Sequence, residues 1–101
     1  MVIYNNITTS PATTTLIARK NKGDGDIRKI TIANFSDNTA AATVNLFLQN
    51  AAATDYYFFK NVRIPKGATL MLDNNLKFDA SIYSLKMYSV GTAPALTVII
   101  K

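Results

Sequence analysis

From Asp26 to the C-terminus, apolar side chains recur at every second position in short runs, and each run is closed by Gly, Pro, Asn or Asp. A period of two marks a strand with one buried face, and turn residues every ~8–12 positions are the spacing of a sandwich or barrel. Ile30 and Ile32 alternate with Lys29, Thr31 and Ala33. Val44, Leu46 and Leu48 oppose Asn45, Phe47 and Gln49, and Leu70 and Leu72 oppose Thr69 and Met71. Leu76 and Phe78 alternate with Lys77 and Asp79, and Tyr83, Leu85 and Met87 with Ser84, Lys86 and Tyr88. The last run sets Leu96, Val98 and Ile100 against Thr97, Ile99 and Lys101. Turn chemistry lies at 34–38, 50–54, Pro65-Lys66-Gly67, 73–75 and 91–94. The expected fold is all-β: a single antiparallel β-sandwich of about seven strands, jelly-roll-like or immunoglobulin-like, with a closed barrel as the alternative.

Residues 1–15 are rich in Thr, Asn and Ser, are broken by Pro11 and hold little apolar content. They read as an extended N-terminal arm ahead of a sandwich domain at 16–101, the segment 13–18 being β-prone and able to pair within its own domain or with another subunit. The alanine runs at 40–42 and 51–53 read as loop or strand-edge material. A domain of 101 residues without cysteine must be held by packing or by contacts with other chains. No apolar stretch has the length of a membrane span and no signal-like leader opens the chain, so a soluble, unexported protein is expected.

The chain contains no histidine, cysteine, tryptophan or glutamate. A general acid or base would have to be one of its six aspartates or a perturbed lysine, and a Ser or Thr nucleophile would have no imidazole beside it. The expectation is a non-enzyme with no catalytic residues, cofactor or metal. Asp24-Gly25-Asp26 resembles a fragment of a calcium loop without its remaining ligands or closing Glu. Asp73 and Asp79 flank a short strand where Asp commonly closes a turn on its own backbone.

Eleven Lys and Arg against six Asp give a net charge of +5, which favours approach to an anionic surface. The charges are scattered except for Arg19, Lys20, Lys22, Arg28 and Lys29, which bracket a polar turn and read as a basic contact loop for an acidic partner, or as a solvated hairpin tip. No aromatic platform is interleaved with them, which argues against nucleic acid as the partner.

Four consecutive aromatics, Tyr56, Tyr57, Phe58 and Phe59, cannot all face one core, because strand side chains alternate. Tyr57 and Phe59 are expected outside with Phe47, Met71 and Tyr88, on the second face of the sheet, where a partner or a covering loop would bury them. Phe47, Tyr57, Phe59 and Tyr88, with Ile7 and Leu16 of the arm, form the candidate partner interface.

The run Ile30-Thr-Ile-Ala-Asn34, the strand Val44-Asn-Leu-Phe-Leu48, the segment Lys60-Asn-Val-Arg-Ile-Pro-Lys-Gly-Ala-Thr-Leu-Met-Leu-Asp73 and Tyr83-Ser-Leu-Lys86 resemble small single-domain β-sandwich virion proteins of tailed bacteriophages. The likeness covers residues 27–101 and carries no catalytic residue. It implies a structural virion protein, made in the host cytoplasm and bound in several symmetric copies to a capsid or tail lattice. Decoration and neck or tail-associated components are the roles it implies, with other virion proteins and its own copies as partners and no membrane. The alternative is a carbohydrate- or receptor-binding module, since aromatics on a sandwich face stack on sugar rings. Against it stand the missing tryptophan and the few Asp or Asn residues beside the aromatics to fix sugar hydroxyls.

Overall fold

The computed structural model describes residues 3–8, 10–19, 24–35, 41–73, 76–91 and 95–101, with residues 24–26 described by their backbone alone. Among the described residues ten strands are present: β1 (Ile3–Ile7), β2 (Ala12–Ile17), β3 (Asp24–Ile27), β4 (Ile30–Asn34), β5 (Ala42–Gln49), β6 (Asp55–Ile64), β7 (Thr69–Leu72), β8 (Leu76–Asp79), β9 (Ser84–Gly91) and β10 (Leu96–Ile100).

The connectivity is that of one long antiparallel ribbon rolled on itself. Its tip is the 50–54 turn, and outward from it β5 pairs β6, β4 pairs β7, β3 pairs β8, β2 pairs β9 and β1 pairs β10. Two further pairings, β10 with β4 and β9 with β5, close the roll into two four-stranded sheets, β1-β10-β4-β7 (sheet I) and β2-β9-β5-β6 (sheet II). This is a jelly roll, one of the two sandwich forms expected. The short β3-β8 ribbon stands apart from both sheets, yet its Ile27 and Phe78 join the same hydrophobic cluster.

The inward residues are those the alternation predicts. Ile30, Ile32, Leu96, Val98 and Ile100 of sheet I meet Val44, Leu46, Leu85 and Met87 of sheet II in a core sealed from solvent. Apolar burial of this kind is the main term holding a domain without disulfides together.

Three expectations need correction. Residues 1–15 are not an arm: β1 pairs along its whole length with β10, and β2 pairs with β9. Ile7 and Leu16, expected at a partner interface, lie in the core at 4% and 6% exposure. A bulge between Thr15 and Ile17 turns both Leu16 and Ile17 inward. The segment looked unanchored because an edge strand needs only every second residue to be apolar, its backbone bonds coming from a partner remote in sequence. The described residues form ten strands against the about seven expected, β1 and β3 being among those not read as strands from the sequence.

Asn34 is the third. It ends β4 instead of opening a turn, and its side chain is 2% exposed. Its Nδ2 donates to the Ile64 carbonyl of β6 at 3.0 Å, a bond from one sheet to the other. Its backbone holds the following turn as well: the Gly67 N–H donates to the Asn34 carbonyl, and the Asn34 N–H to the Ala68 carbonyl. Ala68 N–H closes the turn on Pro65, and Gly67 takes the positive φ of 74° that a type II turn requires at that place.

Candidate functional site

The outer face of sheet II follows directly from its registers. Reading across β2, β9, β5 and β6, one row holds Thr15, Lys86, Phe47 and Tyr57, and the row on one side of it holds Thr13, Tyr88 and Asn45. The row on the other side holds Ser84, Gln49 and Asp55. The outward set Asn45, Phe47, Gln49 was legible in the alternation of β5.

What β6 contributes was not, because two bulges interrupt it. Leu46 faces Phe59 while the next residue, Phe47, faces Tyr57, so Phe58 is an extra residue. A second extra residue lies at 60–61, between Phe59 and Val62. Each insertion reverses the faces beyond it. Phe59, expected outside, therefore turns inward with Val62 and packs against the core, while Tyr57 stays outside. Asn61 takes a φ of 58°, a left-handed conformation that Asn tolerates, and its N–H donates to Asn45 Oδ1 at 2.8 Å. Asn45 Nδ2 donates to the Tyr88 carbonyl at 3.2 Å, so one side chain ties three strands at the bulge.

These residues shape a depression of about 370 Å³ lined by Thr13, Asn45, Phe47, Gln49, Asp55, Tyr57, Lys60, Asn61 and Tyr88. Phe47 lies outward as expected but is only 5% exposed, because neighbouring side chains cover it. Its ring meets Tyr57 with centroids 5.4 Å apart and planes tilted by 49°. Lys60 Nζ sits 5.0 Å from the Tyr57 centroid, a cation–π contact. Along the rim Lys86 Nζ donates to Gln49 Oε1 at 2.7 Å and Gln49 Nε2 to Asp55 Oδ1 at 2.9 Å. The polar groups beside the aromatics, scarce in the linear sequence, are thus supplied by other strands.

Met71, expected to share a face with these aromatics, is on the opposite side of the molecule. Across sheet I Tyr4 pairs Ile99, Ile99 pairs Thr31 and Thr31 pairs Met71, an almost wholly apolar row on the outer surface. Tyr4 is 70% and Met71 50% exposed.

The basic loop is only partly assembled. Arg19 and Arg28 are exposed and Lys29 is half-buried, whereas Lys20 and Lys22 lie outside the described residues. Lys29 and Lys101 exchange backbone hydrogen bonds and Arg28 N–H also donates to Lys101, tying this segment to the end of the chain. In place of a hairpin tip, Asp24–Ile27 forms β3, whose register sets Asp26 opposite Lys77 of β8. Asp79 acts as the turn-former expected: its carboxylate accepts from the Ser81 N–H and hydroxyl, and both bonds hold its pKa below the ordinary 3.8.

No protein-family model matches the chain, and no curated protein matches its sequence. Among solved structures it is similar to PirA, at 11% identity and a TM-score of 0.56, over 98% of this chain and 91% of that one. The likeness is one of fold, a β-sandwich spanning nearly the whole of both chains. Weaker similarities are to a Yersinia pseudotuberculosis-derived mitogen, with 9% identity, a TM-score of 0.48 and coverage of 99% and 81%, and to the VP2 protein of infectious bursal disease virus, with 13% identity and a TM-score of 0.47. The chain covers 99% of itself but only 29% of that VP2 protein.

Proposed function

We propose that this chain is a non-enzymatic structural protein of a virion, bound in several symmetric copies to the capsid or tail lattice of a tailed phage. The observation that carries the reading is the pair of apolar outer faces on opposite sides of the sandwich: Tyr4, Ile99 and Met71 on sheet I, and Tyr57 and Tyr88 over Phe47 on sheet II. A sandwich needs only its inner faces to be apolar, and apolar groups gathered on an outer face are usually buried by a partner. Two such faces let one copy bridge two neighbours. The sequence likeness to phage β-sandwich proteins supports the choice of lattice.

Adhesion is the mechanism. Many copies of a modest contact hold firmly, since attachment at one site raises the effective concentration at the next. The assay is native mass by light scattering over a concentration series at low and high salt, with Tyr4→Ser/Met71→Ser as the probe. Expected is an assembly that persists at high salt and falls apart in the double variant while its melting temperature is kept. A wild-type chain that stays monomeric at every concentration overturns the reading.

A further inference from the structure

We infer that the depression on the outer face of sheet II is a binding site for a neutral saccharide, with the Tyr88 ring as its platform. The volume, about 370 Å³, is within the range of ~300–1,000 Å³ usual for small-molecule sites. Of its aromatics, Tyr57 is already engaged, with Phe47 at 5.4 Å and the Lys60 ammonium at 5.0 Å. Tyr88, 37% exposed, makes neither a ring–ring nor a cation–ring contact among the described residues. A free aromatic face takes the C–H face of a pyranose by apolar and dispersion contact.

The hydroxyl groups of such a ring need donors and acceptors at its rim. Thr13 is the cross-strand neighbour of Tyr88 on one side, and Asn61 lies beyond Asn45 on the other. Adjacent strands are ~4.8 Å apart, so both are within reach of a sugar seated on Tyr88 and extended by a second residue. Neither the Thr13 hydroxyl nor the Asn61 side-chain amide has a hydrogen-bond partner among the described residues. Asn45, by contrast, is spent on the Tyr88 carbonyl and the Asn61 N–H, which fixes the backbone that presents both groups. A site held rigid before binding loses less entropy when filled.

Charge selects the class of ligand. The charged side chains lining the depression are Asp55 and Lys60, of opposite sign, and the Lys86 ammonium at the rim is held by Gln49, whose amide in turn donates to Asp55. A phosphate or nucleic-acid site gathers an excess of cations, whereas a balanced rim of amide, hydroxyl and carboxylate suits an uncharged, hydroxyl-rich ring. The site rests on this groove alone; because the proposed lattice contact uses the same Tyr57 and Tyr88, a saccharide is taken by copies whose sheet II face is uncovered.

The test is a two-dimensional NMR titration of the full chain with maltotriose, cellotriose, mannotriose and chitotriose, and with sialyllactose and inorganic phosphate as anionic probes. Expected is saturable movement of the Thr13, Asn61 and Tyr88 amide signals with at least one neutral trisaccharide. Tyr88→Ala should weaken that binding about tenfold or more. Asn61→Gly, which keeps the left-handed backbone while removing the amide, should weaken it several-fold at an unchanged melting temperature. The inference is overturned if no neutral saccharide moves these signals, if binding is indifferent to both substitutions, or if only the anionic probes bind and salt abolishes it.

Discussion

Replacing Asn34 by Ala tests the bond that ties sheet I to the end of β6. The side-chain amide donates to the Ile64 carbonyl at 3.0 Å with both residues buried, at 2% exposure each. Removing the donor takes a buried hydrogen bond from that carbonyl, at a cost of ~1–3 kcal/mol. The space vacated by the amide adds ~1 kcal/mol if the surroundings relax little. The total, ~2–4 kcal/mol, is a large fraction of the ~5–15 kcal/mol that holds a typical domain. At ~4–8 °C per kcal/mol the melting temperature should fall by ~10–30 °C. The backbone bonds between Asn34 and the 67–68 turn survive in the variant, so the loss reports the side chain alone. Urea and thermal unfolding followed by circular dichroism measure it. Asn34→Asp supplies the control: an ionised carboxylate cannot donate, and burial raises its pKa above the unfolded value. Its stability relative to wild type should therefore be worst near neutral pH and recover as the pH falls through the folded pKa, where the protonated acid donates to Ile64. A loss below ~0.5 kcal/mol in the Ala variant, with no recovery of the Asp variant in acid, would refute the reasoning.

The bulge at Phe58 predicts that adjacent aromatics behave oppositely. Phe59→Ser should destabilise the fold by ~2 kcal/mol or more, since this ring packs on the core, while Tyr57→Ser should cost less, ~1 kcal/mol, for the ring contact with Phe47; equal effects in paired urea melts would mean the register is wrong. At Asp79 the folded pKa is lowered by the two bonds from Ser81. Its stabilising contribution is complete above the unfolded value of about 4 and fades as pH drops through the folded value, so Asp79→Ala should flatten the acid limb of the stability curve. Superimposable curves for wild type and variant would contradict this.

Much of this molecule is legible locally. The period-two alternation is a property of the chain alone, and it places Val44, Leu46, Leu85, Met87, Leu96, Val98 and Ile100 inside without any knowledge of their partners. The turn at 65–68 is equally local, since the Gly that supplies its positive φ is written in the sequence. The N-terminal strands were illegible because their stability comes from backbone bonds to β9 and β10, and partners so distant leave no local trace. Phe59 was misplaced for a related reason: whether a strand carries a bulge depends on its neighbour, and one extra residue exchanges every face beyond it. The groove is the clearest case. Phe47 alternates outward in any strand, yet its cover by neighbouring side chains, and the gathering of Thr13, Asn45, Asp55, Asn61 and Tyr88 around it, exist only once β2, β9, β5 and β6 lie side by side. The period, the turns and the apolar inner faces are local properties of the chain, because they follow from the geometry of a single strand. Pairing order, bulges and outer surfaces were decided by tertiary structure, because each depends on which distant backbone lies ~4.8 Å away.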